Sequence, residues 1–202
     1  MILRLEEEKD YFENVNLTRE AFWNVYRPGC DEHLLHRNIR GVASYIKELC
    51  YVAEEDGKLI GNIVYAKMWK DGKICDEVIG FGPLSVLPEK QKQGVGSALV
   101  RESLKKAKEM GFKTVLITGN PDYYHRFGFD SASKFGVRLP DIAEDEEASF
   151  FMAVELEEGY LSGHAGAYEF DPIYAPDKDE LEEFEKQFPE KVKREPGPYD
   201  LP

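Results

Sequence analysis

The sequence predicts a mixed α/β fold, a twisted and mostly antiparallel sheet flanked by helices, with a C-terminal extension. Three observations carry that expectation. Asp56-Gly57 and Asp71-Gly72 separate three strand-like stretches, and Asp-Gly supplies the positive φ angles of a tight hairpin, so residues 50–54, 58–70 and 73–86 read as an antiparallel meander. A glycine loop then leads into a helical pattern over 94–110, and an apolar run at 114–118 follows, the strand, loop, helix and strand order of a parallel βαβ unit. After Gly159 the chain turns acidic, aromatic and proline-rich.

Taken in order, residues 2–5 form a short opening strand, and helices follow at 17–23 and 31–49. The third strand of the meander stops at Pro88. In 94–110, Val95, Ala98, Leu99, Leu104, Ala107 and Met110 recur at helical spacing, with Lys105, Lys106, Lys108 and Glu109 among the exposed positions. Gly111 is the natural C-terminal stop. The run 114–118 reads as a buried strand, and 149–155 supplies a late one. We expect a domain over 1–158 and an extension over 159–202. The extension should carry one amphipathic helix at 177–188, dock through Phe170, Tyr174, Phe184 and Phe188, and fray at its EPGPYDLP end.

Composition narrows the partners. A chain of 202 residues builds one sizeable core with an appendage. Its net charge of -13 repels nucleic acid phosphates and anionic lipid and attracts a cationic small molecule or basic peptide. No apolar run reaches the roughly 18 residues that span a bilayer. The acidic start, MILRLEEEKD, is unlike a signal peptide, so a cytoplasmic protein is expected, as monomer or homodimer. Cys30, Cys50 and Cys75 are odd in number and unpaired in spacing, as reduced thiols are. Cys30, His33 and His36 drift around a helix and have no fourth partner nearby, so no metal is expected.

The chemistry concentrates in Leu84-Ser85-Val86-Leu87-Pro88-Glu89-Lys90-Gln91-Lys92-Gln93-Gly94-Val95-Gly96-Ser97, an extended strand passing through a polar loop into a helix. Gly94 and Gly96 let backbone approach a ligand, and the N–H groups and positive dipole end of the helix suit pyrophosphate oxygens. Lys92 adds charge. The loop lacks the GxxxxGK[ST] of a nucleoside-triphosphate site and the third glycine of a dinucleotide fingerprint.

Gln91-Lys92-Gln93-Gly94-Val95-Gly96 resembles the Q/R-x-x-G-x-G/A signature of the GNAT N-acetyltransferases. Asn120-Pro121-Asp122-Tyr123-Tyr124-His125-Arg126-Phe127-Gly128-Phe129 is similar to the YYxRFGF segment of small bacterial and archaeal members. The resemblance implies a GNAT-like sheet splayed to admit acetyl-CoA, used as co-substrate without a metal. It places the cofactor against Leu84, Val86, Gln91, Lys92, Gln93, Gly94, Val95, Gly96, Ser97 and Asn120. It makes Tyr124 the general acid that protonates the leaving thiolate, since a phenol of pKa about 10 arrives protonated at neutral pH.

The acceptor would be a primary amine of a small molecule or peptide, met by the first helices and their Trp23, Tyr26, Arg27, His33 and Tyr45. Tyr123, Phe127 and Phe129 read as packing, Arg126 as a structural partner and His125 as surface. Asp76 and Glu77 are candidate bases, but acidic residues are abundant and no base is assigned. Two other classes fit less of the pattern. A GNAT-like acyl-CoA sensor without turnover would not need Tyr124, and a dinucleotide-dependent oxidoreductase needs a parallel doubly wound sheet.

Overall fold

The computed structural model of the chain describes residues 1–198 and 200. Strand β1 (Ile2–Leu5) is followed by helices α1 (Tyr11–Phe22) and α2 (Glu32–Asn38). Strands β2 (Tyr51–Glu55), β3 (Lys58–Lys70) and β4 (Lys73–Val86) come next, then α3 (Val95–Glu109), β5 (Thr114–Thr118) and the short α4 (Pro121–Tyr124). β6 (Asp130–Ser131), β7 (Val137–Arg138), β8 (Phe151–Glu155), β9 (Gly166–Ala167) and α5 (Lys178–Glu185) complete the order. Seven strands make one sheet in the order β1-β2-β3-β4-β5-β8-β6. Every pairing in it is antiparallel except β4 with β5. Among the described residues no helix is long and apolar enough to cross a membrane.

Both hairpins form where Asp-Gly predicts them. Asp56 and Gly57 take φ of 51° and 75°, and Asp71 and Gly72 take 51° and 71°, angles that suit the twist of the flanking strands. Side chains alternate across the sheet as a period of two requires. Ile79 and Phe81 of β4 and Val115 and Ile117 of β5 face the core beneath α3, with Val95, Leu99 and Phe129. Val78 and Leu116 face the opposite core, with Met68, Phe151 and Tyr168. Because β5 is covered on both faces, it reads as an unbroken apolar run.

The N-terminal helices depart from expectation. α1 begins at Tyr11, earlier than the apolar spacing suggests, because much of its buried face is polar: Asn14, Thr18 and Arg19 are 1%, 0% and 1% exposed. α2 stops at Asn38 instead of running to residue 49. β3 is longer than β2, and its second half needs another partner. Residues 44–46 supply one, with Lys67 N–H donating to Ser44 O (2.8 Å) and Ile46 N–H to Tyr65 O (3.1 Å). Edge pairing of backbone outweighs helical propensity here. Met110 ends α3 as an exposed cap and not as a core position.

A buried polar network joins α1 and α2 to the sheet. Glu6 accepts from Arg40 Nε (3.0 Å) and Asn14 Nδ2 (2.6 Å) and faces His36 Nε2 at 3.4 Å. His36 Nδ1 meets Thr18 Oγ1 at 2.8 Å, and Thr18 Oγ1 accepts from Asn62 (3.0 Å) and Ser85 (3.2 Å). Burial raises the Glu6 carboxyl, but hydrogen bonds from His36 and Arg40 outweigh it and bring it to about 2.

The C-terminal segment packs through a second network. Glu185 accepts from Arg19 Nη2 (2.8 Å) and meets His33 Nε2 at 2.7 Å, while Phe184 and Phe188 bury against Val15 and Leu34. Of the EPGPYDLP end, Asp200 accepts from Arg194 Nη1 (3.0 Å), and residues 199, 201 and 202 lie outside the described residues.

Burial lowers both buried histidines, His33 to about 4. The unfolded chain therefore takes up their protons first, and stability falls as pH drops below about 6.5 toward the folded pKa. The depressed Glu6 adds a further loss only below about 4.5. Thermal melts should show Tm falling by about 5–10 °C between pH 7.5 and pH 5. A flat Tm across that window would contradict the neutral, buried state of these histidines.

Candidate functional site

The site is organised by where β4 and β5 part. Their parallel register runs through Val78↔Thr114, Ile79↔Val115 and Gly80↔Leu116 and stops there. β5 continues against β8 alone, Ile117↔Met152 and Thr118↔Phe151. β4 continues against β3 alone as far as Val86, paired with Gly61. Residues 81–86 therefore keep a backbone edge with no strand on the β5 side among the described residues. Unpaired strand edges recruit extended ligands. Leu84 and Val86 lie on this edge, half-buried against the α3 core.

The edge leads into the loop before α3. Gly94 caps the helix at φ 87°, a left-handed angle that suits glycine, and among the described residues no side chain caps the N–H groups behind it. The first intrahelical bond is Ala98 N–H to Gly94 O at 2.9 Å. The N–H groups of the first turn, Val95, Gly96 and Ser97 among them, are left for an anion. Val95 sends its side chain into the core, 4% exposed, so only its backbone faces the loop.

The loop side chains divide. Gln91 Nε2 donates to Val86 O (3.1 Å) and Gln93 Nε2 to Glu89 O (2.7 Å), so both glutamines brace the loop. Lys92 is exposed at φ 59° and makes no ion pair among the described residues, whereas Lys90 pairs with Glu55.

α4 places two tyrosines against this frame. Asn120 caps it, its Oδ1 accepting from Asp122 N–H at 2.9 Å, which leaves its amide nitrogen free for another partner. The Tyr124 ring packs against Phe81 (5.9 Å between centroids) and Phe129 (5.8 Å). A Cβ at Gly119 would stand 2.5 Å from the Tyr124 ring, so only glycine leaves that ring its place. No protein hydrogen bond holds the Tyr124 hydroxyl among the described residues. Burial first, then the neighbouring Tyr123 and Tyr26 hydroxyls, push its pKa above the usual phenol value. A proton therefore stays on Tyr124 across the neutral range.

Tyr123 packs against Tyr124 and Phe127, with its hydroxyl turned toward α3. A Cβ at Gly96 would lie 2.7 Å from its Oη, which puts this hydroxyl on the first turn of α3. The Arg126 guanidinium stacks over the Tyr123 ring at 4.9 Å, and Phe127 and Phe129 pack as expected. His125 is exposed and its Nδ1 meets Phe129 O at 2.8 Å.

The structure brings few of the other candidates to the splay. Asp76 and Glu77 sit at the opposite end of β4, where Asp76 pairs with Lys67 (2.8 Å) and Glu77 accepts from Tyr160 (3.3 Å). Of the residues expected to meet the acceptor, Trp23 donates to Val192 O (3.0 Å), His33 meets Glu185, Arg27 pairs with Asp31 (2.8 Å), and Tyr45 faces Glu6 (3.4 Å). These side chains serve contacts within the chain. Tyr26 stays 48% exposed and lies close enough to Tyr124 to influence its proton. Two aromatics absent from the sequence-derived site also reach β4, Phe170 over Gly80 and Tyr174 over Gly82.

Comparison with known proteins agrees with this geometry. The acetyltransferase (GNAT) family profile matches residues 12–129, more than half of the chain. An uncharacterised N-acetyltransferase of Escherichia coli, YjhQ, is 32% identical over 120 residues, spanning 57% of this chain and 66% of its own length. The E. coli N-acetyltransferase YhbS is 28% identical over 117 residues, 58% of this chain and 68% of its own. The chain thus spans about two thirds of the length of these curated relatives. The crystal structure of YhbS in complex with CoA superposes with a TM-score of 0.75 at 26% identity, over 87% of this chain and 92% of that one. A GNAT acetyltransferase of Brucella melitensis in complex with acetyl-CoA gives a TM-score of 0.68 at 25% identity, over 86% and 97%. With its splayed parallel pair, its uncapped helix after the glycine loop and a matching profile across both, this chain belongs to the GNAT acetyltransferase family.

Proposed function

We propose that the protein transfers the acetyl group of acetyl-CoA directly to a primary amine, with Tyr124 as general acid. The observation that carries this reading is the divergence of β4 from β5 beside a protonated Tyr124, with the uncapped α3 turn at the end of the same strand. The CoA and acetyl-CoA complexes of the two structural relatives support the ligand class. The residues present fit it: the open edge of β4 along Leu84–Val86, where among the described residues only the Val86 carbonyl is already met, by Gln91, for an extended amide arm, and N–H groups at Gly94, Val95, Gly96 and Ser97 for pyrophosphate. Lys92 adds a cation there, and Asn120 can donate through its free amide.

Acetyl-CoA supplies an activated thioester that a free amine can attack. Tyr124 holds a proton at Oη for the departing sulfur, and its raised pKa matters because an ionised phenol could not donate. The β4 edge orients the thioester, and the ring stack of Tyr124 on Phe81 and Phe129 keeps the donor from swinging away. In this reading residues 1–158 carry the transferase site in the cytoplasm, and 159–202 are an extension docked on it. A non-catalytic acyl-CoA sensor is the second reading, and release of CoA thiol across an amine panel separates the two.

Replacing Tyr124 by Phe should lower kcat by about 10²–10⁴-fold while leaving the acetyl-CoA KM near its parent value. Steady-state kinetics would sink the assignment by showing the parent rate across pH. The same profile should show no loss of activity from Tyr124 ionising below about pH 10.

Gly96→Ala should weaken acetyl-CoA binding by crowding both the phosphate site and Tyr123. Its Cβ would meet Tyr123 Oη at 2.7 Å without any ligand. The double variant Gly96→Ala with Tyr123→Phe separates the two effects by calorimetry. Affinity should stay low if the methyl obstructs the phosphates, and recover if only the tyrosine was displaced.

The net charge of -13 favours a cationic acceptor. The second-order rate should then fall as salt shortens screening toward about 8 Å. A salt-independent rate with a neutral best substrate would remove the idea.

A further inference from the structure

The chain after β9 crosses the face of the sheet that α3 leaves open. Glu169 exchanges backbone hydrogen bonds with Trp69 on β3, at 2.8 and 2.9 Å. Asp171, 6% exposed, accepts from Ser44 Oγ (2.7 Å), Trp69 Nε1 (3.1 Å) and Ile173 N–H (3.0 Å). These anchors fix the residues on either side. Phe170 and Tyr174, with centroids 5.0 Å apart, are laid onto β4 where β5 departs. A Cβ at Gly80 would stand 3.0 Å from Phe170 Cε1, and one at Gly82 would stand 3.6 Å from Tyr174 Cε1.

Tyr174 also donates through Oη to the Gly82 carbonyl at 3.0 Å. Gly82 lies just past Gly80↔Leu116, the last β4–β5 pair. Tyr124 approaches the same stretch of β4 from the α3 face, through Phe81. The splay is thus flanked by a tyrosine from each side, one with its hydroxyl free and one with its hydroxyl bound to the strand.

We propose that Tyr174 is a positioning residue of the acyl-transfer site: its hydrogen bond to the Gly82 carbonyl holds the free edge of β4 in the conformation that receives the thioester arm. The C-terminal segment then belongs to the site and is more than a cover for the core. The inference rests on the reading that this edge receives acetyl-CoA. A strand edge supported on one side only can shift. A donor from the far face fixes the edge and leaves the thioester side open.

The test compares two probes on the full chain. Acetyl-CoA reaches both the α3 turn and the splay, whereas adenosine 3′,5′-bisphosphate carries only the nucleotide end. Tyr174→Phe keeps the ring and removes the donor. Calorimetry should show acetyl-CoA binding weakened by about 3–10-fold, the worth of one hydrogen bond, with the bisphosphate unchanged within about twofold. A lowered Tm with acetyl-CoA affinity intact, or equal losses for both probes, would overturn the proposal and leave Tyr174 as core packing. Should Tyr174→Phe not fold, Asp171→Asn loosens the same strap without touching Gly82, and the same two comparisons decide. A parent protein that binds neither probe overturns the transferase reading itself, and this inference with it.

Discussion

β4 runs for 14 residues along β3 but meets β5 only from Val78 to Gly80, and the backbone left over beyond Gly80 is the constraint around which the other elements are fitted. Exposed N–H and C=O groups in a largely buried strand need partners. The chain supplies a few, from Tyr174 to Gly82 O and from Gln91 to Val86 O, and leaves others facing the gap between β4 and β5. The acetyl-CoA site proposed above rests on that incomplete ladder. The first turn of α3, without a side-chain cap among the described residues, continues the same run of unsatisfied donors.

Holding a splayed strand requires a stiff surround. On one face the aromatic stack of Phe81, Tyr124 and Phe129 fixes it. On the other, Ser85 is tied through Thr18 to His36, Glu6 and Arg40, a connected polar chain that leaves α1 little freedom to slide. Such a network constrains geometry more strictly than apolar contact does, because a small displacement strands a buried donor or acceptor. The same tie makes the fold sensitive to acid, since His33 and His36 are kept neutral by burial.

The tyrosine pair shows how neighbours in the chain come to lie in different surroundings. Tyr124 is half-buried among rings, its hydroxyl without a protein partner among the described residues and its pKa raised by burial. Tyr123 turns its hydroxyl onto Gly96 and carries Arg126 on its ring. The side chain one residue along a helix points about 100° away, so adjacent tyrosines on α4 reach different elements, Tyr123 the first turn of α3 and Tyr124 the β4 strand at Phe81.

Much of this was legible in the residues. Asp-Gly pairs set both hairpins because few other dipeptides accept two successive positive φ angles, and the 3.6-residue spacing of Val95, Leu99 and Ala107 marked α3 because its buried face is apolar. The glycine loop was visible for the same local reason, and the tandem tyrosines through their resemblance to a segment of the GNAT family. Long-range requirements were hidden: α1 buries Asn14, Thr18 and Arg19, so no apolar stripe announces its full length, and residues 44–46 leave helical geometry to complete an edge of β3. Folding alone placed Tyr174 on Gly82, 92 residues apart in the chain. A contact at that separation depends on how the strap crosses the sheet, and no local periodicity or propensity records the crossing.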